Sequence, residues 1–419
     1  MSAFNVLTDQ QSDNSENSRI HFGLLDVLWL LALICNVTYM PVQKLGALTL
    51  GAAFLATVIN LLYKRGAKFH MWLLSWPVAF LVFFIYVFVS QVWTKYADTK
   101  YMTLLSLAYV LGFVLGIGLY ILEYTNYVKM MHIVALSIAY FSVIYLITSP
   151  YSTYGTTAMG GVTGQWRNAA GYWGVFGFAI FLLLITSMNN AIFKLIYFVL
   201  SILCVSMALV TGSRKVIIML LLLAVLYALT APKIGTKIKI ILLFVLVLSV
   251  AYYFITQVEF LQYSYGDRLM AFFNSDLDDG SIERRTELRE YAIMLFKQHP
   301  ILGAGIDSVR NHLTASGDKG TYSHNNYVEL LADFGIIGAL IYYFVPVKTA
   351  IKSLFNFKKS KYIRFGLIML VVYLVCDWGA ISYSYRLTAV LLTLWISGCQ
   401  HAFKMSKDNE SISETGLNI

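Results

Sequence analysis

The chain has 419 residues, of which 58% are hydrophobic and only 13% are charged. Its mean hydropathy is +0.68. A soluble protein carries about twice that share of charged residues, so the composition excludes a soluble enzyme, a disordered chain and a collagen-like fibre. The sequence predicts an all-α, polytopic membrane protein. In this class the net charge of +9 indicates basic cytoplasmic loops, and we expect no nucleic-acid partner.

Twelve apolar runs approach the length of about 20 residues that a membrane-spanning helix needs. They are 23–40, 45–63, 72–93, 101–122, 131–149, 169–187, 194–210, 216–231, 238–257, 331–347, 364–384 and 386–403. Two charged residues at 214 and 215 separate the seventh run from the eighth. We therefore predict about twelve transmembrane helices, between polar tails at 1–22 and 405–419. The first tail lacks the basic start and apolar core of a signal peptide.

The distribution of Lys and Arg predicts the orientation. An even number of spans places both tails on one side of the membrane. With the tails inside, 17 basic residues face the cytoplasm and 7 lie in short outer segments, as the positive-inside rule requires. Helices 1–9 then occupy 23–257, helices 10–12 occupy 331–404, and a large extracytoplasmic loop spans 258–330. The loop is predicted to contain a helix over 282–298, which Pro300 ends.

Several charged residues are predicted to meet at the outer surface. Arg167 precedes the sixth span, Arg214 lies between the seventh and eighth, and His324 precedes the tenth. Arg285 and Arg289 are four residues apart, so they share one face of the loop helix. Arginine forks bind phosphate oxygens and keep their charge, and histidine exchanges a proton near neutral pH. This set of side chains predicts a site for the pyrophosphate of a lipid.

Each of these residues also has an ordinary interpretation. Arg214 and Lys215 could anchor a helix end at the lipid headgroups, and the arginines of 284–289 could pair with glutamates on a solvated helix. A lone histidine in a loop is more often exposed to solvent than catalytic. The acidic residues of 276–279 could bind a metal, although capping of the loop helix is the more common role for such residues.

The order and spacing of these residues resemble the O-antigen ligase and polymerase superfamily. The elements that carry the resemblance are Arg285-x3-Arg289, Pro300-x2-Gly303-x-Gly305, His324-Asn325-x-Tyr327 followed by Gly335-x2-Gly338, Thr211-x-Ser213-Arg214, and the glycine-rich segment 160–171 with Arg167 and Asn168. Two positions depart from the family pattern: Val328 replaces a common Leu, and Arg289 stands where Trp is frequent.

The resemblance implies a membrane glycosyltransferase in the cytoplasmic membrane of a bacterium. Such an enzyme takes a glycan from undecaprenyl pyrophosphate on the outer face. Arg214 and Arg285 would then stabilise the leaving pyrophosphate, and His324 would activate the acceptor hydroxyl as general base. Direct displacement inverts the anomeric centre, and the reaction needs no metal or other cofactor. The residues predicted to bind substrate are Arg167, Asn168, Arg284, Arg289, Asn325 and Tyr327.

Three functional alternatives remain at the level of the sequence. The favoured one is a polymerase that joins lipid-linked repeat units into O-antigen, capsular polysaccharide or exopolysaccharide, with a flippase and a chain-length regulator as partners. The second is a ligase that transfers the glycan to lipid A core or to a protein. The third is a transporter of the same lipid carrier, against which stands the scarcity of ionisable residues within the spans.

Overall fold

The computed structural model describes residues 21–38, 43–64, 71–95, 100–148, 167–211, 213–231, 233–257, 281–318 and 320–414, and these ranges contain helices but no strand. The helices are α1 Leu24–Leu33, α2 Gln43–Tyr63, α3 Ser75–Ser90, α4 Lys100–Tyr120, α5 Tyr124–Thr148, α6 Arg167–Ser187, α7 Ala191–Val210, α8 Arg214–Thr230, α9 Ile234–Gln257, α10 Ser281–Gln298, α11 Ser308–Ala315, α12 Asn326–Asn356, α13 Lys361–Asp377 and α14 Arg386–Glu414. A π-helical turn, Ile34–Thr38, extends α1, and a 3-10 turn, Met71–Leu74, precedes α3.

The helices of the described ranges are those of a multi-pass membrane protein. Seven are long and apolar enough to cross a bilayer: Lys44–Tyr63, Trp72–Ser90, Thr103–Tyr120, Tyr124–Thr148, Asn168–Ser187, Ala191–Val210 and Asn326–Asn356. Leu24–Thr38 and Lys215–Thr230 are shorter apolar helices. The predicted all-α membrane class is confirmed. Each of the twelve apolar runs overlaps a helix, while the number of spans and the side on which each loop lies stay predictions.

Helix α6 lies at the centre of the bundle. In the 18-residue apolar stretch of α6, 83% of the residues are buried inside the protein, compared with 22% in the corresponding stretch of α2. It packs on α5, α7 and α8. A Cβ atom at Gly174 would lie 2.5 Å from the Cys204 carbonyl oxygen of α7, so glycine is what lets the two backbones approach so closely. The central helix begins at Arg167, which places the start of α6 among the helix ends that form the candidate site.

The helices around the predicted outer loop begin and end differently from the apolar runs. Helix α10 matches the prediction of 282–298 closely, but α11 was not predicted, because eight residues give too short a pattern. Helix α12 begins at Asn326 rather than 331, since the Asn325 side chain accepts hydrogen bonds from the amides of Tyr327 and Val328 at 3.0 and 3.2 Å and so caps the helix. Helix α13 ends at Asp377, and turns occupy 378–385.

The motif glycines join the loop after α10 to α12. Gly303 has φ +76° and Gly335 has φ +63°, and α12 departs from helical geometry at Gly335. A Cβ at Gly303 would lie 2.3 Å from the Asp333 carbonyl oxygen, and one at Gly335 would lie 2.3 Å from the Ile301 carbonyl oxygen. Only glycine combines this conformation with so close an approach. The glycines therefore position the chain that leads from α10 towards α12.

Helix ends assigned by the sequence to one side of the membrane meet each other in the structure. Lys64 after α2 pairs with Glu123 before α5 at 2.7 Å, and Lys129 of α5 pairs with Asp26 of α1 at 3.2 Å. These four residues belong to the predicted cytoplasmic ends. At the predicted outer ends, Tyr86 of α3 donates a hydrogen bond to the carbonyl oxygen that precedes Gly303, at 3.0 Å. These contacts agree with the predicted alternation of the helices across the membrane.

Candidate active site at one set of helix ends

His324 occupies a constrained turn directly before α12. Its φ is +58°, and Asp307 is the other non-glycine residue of the described ranges with a positive φ. The Ser323 amide donates a 2.7 Å hydrogen bond to the Glu329 carboxylate, and the Ser323 hydroxyl donates a 3.0 Å bond to the Asn325 carbonyl. Such backbone geometry persists only where surrounding contacts enforce it, and it is frequent at functional sites. These contacts hold the turn that carries the imidazole.

An aromatic wall of two tyrosines adjoins this imidazole through Tyr322. The rings of Tyr322 and His324 have their centroids 4.3 Å apart, inclined at 51°. Tyr322 is also hydrogen-bonded to Tyr385 of the turn region before α14, and burial raises the pKa of Tyr322. Both hydroxyls are therefore in the neutral form at pH 7. The wall is neutral and aromatic, a surface that suits the face of a sugar ring.

Cationic side chains from two distant segments lie around His324. Burial lowers the pKa of His324 to about 4, and the positive charges of Arg285 and Lys215 act in the same direction. His324 is therefore a neutral imidazole at pH 7. No hydrogen bond or ion pair of the Arg285 side chain is found within the described ranges. The site thus combines a neutral base with an unpaired cation.

Lys215 is a site residue for which the sequence suggests only anchorage at the lipid headgroups. Its Nζ donates a hydrogen bond to the Gly379 carbonyl between α13 and α14, and a Cβ at Gly379 would lie 2.7 Å from the lysine side chain. The lysine therefore crosses from α8 to the turn after α13 instead of extending into lipid. No pattern around residue 215 signals this contact, because its partner lies 164 residues away.

The other two arginines of α10 differ in their surroundings. Arg289 donates from Nε to the Arg285 carbonyl at 3.1 Å and from Nη2 to Thr286 at 3.1 Å, and its charge reaches Lys215. Arg284 pairs with Glu287 at 3.1 Å and also with Asp318. Arg284 thus forms ion pairs on the solvated face of the helix. Arg289, in contrast, is close enough to the site for its charge to act on Lys215. Substrate roles for both stay predictions.

Arg167 and Arg214 begin two helices that pack together at their first turns. A Cβ at Gly171 would lie 2.4 Å from a methyl of Val216 and 2.8 Å from the Thr211 hydroxyl, so the starts of α6 and α8 are adjacent. Lys215 of the same turn already reaches the site. The side chains of Arg167 and Arg214 lie outside the described structure, and their convergence on the site stays a prediction, as does substrate binding by half-buried Asn168.

Two predicted substrate-binding residues have protein partners for their polar atoms. Asn325 caps α12. The Tyr327 hydroxyl donates a 2.7 Å hydrogen bond to the Leu374 carbonyl, and its ring stacks on Tyr343 with centroids 5.0 Å apart. Both residues hold α12 in place directly beneath His324. Direct contact of either residue with a substrate stays a prediction.

Buried carboxylates beneath the turn fasten the segment between α10 and α12 to α12 itself. Asp333 accepts hydrogen bonds from the Ser308 amide at 3.0 Å and the Ser308 hydroxyl at 2.6 Å, while Glu329 holds Ser323. Desolvation raises the pKa of nearby Asp307. In the part of the chain that the structure describes, no group of three or more His, Cys, Asp or Glu could hold a metal. The acidic segment 276–279 lies outside that part.

The architecture and the site define a multi-pass helical membrane protein with a cationic site, centred on a constrained histidine, at one set of helix ends. Residues 199–343 match the family model described as O-Antigen ligase. This segment contains Lys215, Arg285 and His324. A search of curated proteins finds no match. The predicted resemblance to the O-antigen polymerase and ligase superfamily is confirmed over this segment, and the match supports a glycosyltransferase-like enzyme.

Proposed function

We propose that this protein is a polymerase that joins undecaprenyl-pyrophosphate-linked oligosaccharide repeat units on the outer face of a bacterial cytoplasmic membrane, with both termini in the cytoplasm. The observation that carries the proposal is the grouping of a neutral His324 with Lys215 and with Arg285, which has no ion pair within the described residues. Glycosyl transfer from a lipid pyrophosphate needs a base for the acceptor and positive charge for the leaving group. His324 and the two cations are suited to these two tasks, which supports the proposal.

The proposed reaction is a direct displacement at the anomeric carbon of the donor. The acceptor hydroxyl oxygen forms the new glycosidic bond, and its proton passes to His324. The old bond between carbon and pyrophosphate oxygen breaks, and its electron pair leaves with the pyrophosphate. Arg285 and Lys215, joined by Arg214, stabilise that charge. A single displacement inverts the anomeric configuration, and the cations perform the task that a metal performs in many other glycosyl transfers.

The negative charge of the donor pyrophosphate also changes the pKa of His324, the proposed base. In the free protein, burial and the two cations lower the pKa of His324 to about 4, which makes it a weak base. A bound pyrophosphate offsets Arg285 and Lys215, so the pKa of His324 rises in the complex. The histidine then becomes a stronger base only when the donor is in place. This coupling favours proton transfer at the moment when the leaving group is clamped.

The experiment that tests the proposal is turnover of purified protein with an undecaprenyl-pyrophosphate-linked repeat unit in the presence of EDTA. We expect a ladder of longer lipid-linked glycans, and we expect none with His324→Ala. Transfer that occurs only after lipid A core or an acceptor protein is added would replace the polymerase with the ligase. Absence of transfer to every acceptor, together with movement of the lipid across vesicles, would favour the transporter.

The polymerase also implies partners in the cell envelope. Its lipid-linked units must first reach the outer face, which requires a flippase, and the length of the product requires a regulator protein. The product is O-antigen, capsular polysaccharide or exopolysaccharide. Co-purification of the chain with each partner after mild solubilisation, compared with an unrelated multi-pass protein, tests these associations.

A further inference from the structure

Arg386 is a buried cation that the proposed reaction does not use. It is the first residue of α14, and only 8% of it is exposed. It follows directly on Tyr385, which is hydrogen-bonded to Tyr322 beside His324. Arg386 therefore lies next to the aromatic wall of the candidate site, but its side chain contacts other helices. Lys215 belongs to α8, whereas the partners of Arg386 belong to α1 and α4.

The charge of Arg386 has no counter-ion in the described structure. Nη1 donates a 3.1 Å hydrogen bond to the Asn36 side-chain oxygen, and the guanidinium lies 4.2 Å from the centroid of the Tyr109 ring. Nε is buried without a partner. None of the ion pairs within the described ranges includes Arg386. The helix N-terminus adds positive partial charge, so the local field is unfavourable for a cation.

The surroundings of Arg386 are a constructed polar site and not a chance contact. Asn36 lies in the π-helical turn Ile34–Thr38, a distortion that is frequent at functional sites. Its amide nitrogen donates to the carbonyls of Ala32 at 2.9 Å and Gly46 at 2.8 Å. This fixes its oxygen towards Arg386. A protein that buries an arginine without a carboxylate lowers its own stability, and a bound anion would supply the missing charge.

We propose that Arg386 binds the phosphate group of the second lipid-linked substrate, the acceptor unit of the polymerase. This rests on the proposed function, because a polymerase must hold two polyprenyl-pyrophosphate lipids at once. The donor pyrophosphate leaves the transferred glycan, while the other pyrophosphate stays attached to the far end of the acceptor unit. Arg285 and Lys215 take the donor. Arg386 binds the acceptor lipid at the outer membrane surface. It lies next to the wall of Tyr322 and Tyr385, but its side chain contacts α1 and α4.

The kinetic test separates the acceptor from the donor. The donor is a lipid-linked unit whose acceptor hydroxyl is blocked, and the acceptor is the same glycan either on undecaprenyl pyrophosphate or without a lipid phosphate. We expect Arg386→Gln to raise the KM for the lipid-linked acceptor about tenfold or more, the size of one lost charge-assisted contact, and to leave the lipid-free acceptor unaffected. Arg386→Lys should be intermediate, and exposed Lys297→Gln should match wild type. Equal effects on both acceptors, or none, would overturn the proposal.

A stability measurement excludes a merely structural role. Removal of an uncompensated buried charge should leave the melting temperature of Arg386→Gln in detergent equal to or above that of wild type. A lower melting temperature together with an equal loss of transfer to both acceptors would mean that Arg386 only stabilises the fold, and would overturn the proposal. Binding of undecaprenyl phosphate in nanodiscs tests the site even where transfer fails. Binding that depends on Arg386 supports it, whereas equal dependence for phosphatidylglycerol would mean a general lipid contact and overturn the acceptor assignment.

Discussion

The hydrogen bond between Glu329 and the Ser323 amide gives the sharpest prediction about the candidate site. It is 2.7 Å long and buried, and it holds the turn in which His324 adopts φ +58°. Replacement by alanine removes the acceptor and leaves a buried N–H without a partner. We expect Glu329→Ala to release the turn, so that His324 leaves the geometry from which it can accept a proton.

The expected loss of kcat in Glu329→Ala follows from two local free-energy costs. A buried unsatisfied donor costs about 1–3 kcal/mol, and the left-handed conformation of a non-glycine residue costs a further 1–3 kcal/mol, roughly, once nothing enforces it. The two contributions together favour the released turn by about 2–6 kcal/mol. Since about 1.4 kcal/mol corresponds to a factor of ten in rate, a loss of kcat of at least about 30-fold is expected. The KM for the donor should change little, because the proposal assigns the donor pyrophosphate to Arg285 and Lys215 and not to Glu329.

The assay is single-turnover transfer with saturating lipid-linked donor, and Glu329→Gln is the matched variant. The glutamine carbonyl still accepts from the Ser323 amide, so this variant should retain most of the activity. In a His324→Ala background, Glu329→Ala should cause no additional loss, because both act through one group. Wild-type turnover by Glu329→Ala would refute the reasoning. Equal loss in the Gln and Ala variants would show that the charge matters and the hydrogen bond does not.

Three further predictions concern other parts of the site and loop. Arg285→Gln should lower kcat/KM about 100-fold or more in the transfer assay, while exposed Lys297→Gln on the same helix should stay within about threefold of wild type. Because the pKa of His324 is lowered to about 4, its base form persists above that pH: kcat/KM of wild type should fall only near pH 4, and Arg285→Gln should move this acid limb to higher pH. Gly335→Ala should lower the melting temperature far more than Gly317→Ala, since both have positive φ but only a Cβ at Gly335 meets backbone; equal shifts would contradict the packing argument.

The membrane class and the principal motif residues could be predicted from local sequence. Apolar runs are contiguous, so composition alone predicts helices that the structure contains. The predicted loop helix agrees with α10, since its end at Pro300 is a local signal. Prediction failed where a contact decides the boundary: Asn325 starts α12 earlier than the apolar run does. The short helix α11 gave no signal at all.

The sequence by itself determined an all-helical membrane chain, the O-antigen ligase type of motif, and His324 with Arg285 as candidates for chemistry. Only the tertiary structure decided that Lys215 reaches the turn after α13, that Glu329 holds the histidine turn, and that Arg386 is buried without a counter-ion. The physical reason is the distance along the chain over which each property is decided. Periodicity and composition are properties of neighbouring residues, whereas the environment of a charge depends on helices that lie up to 350 residues apart in the chain.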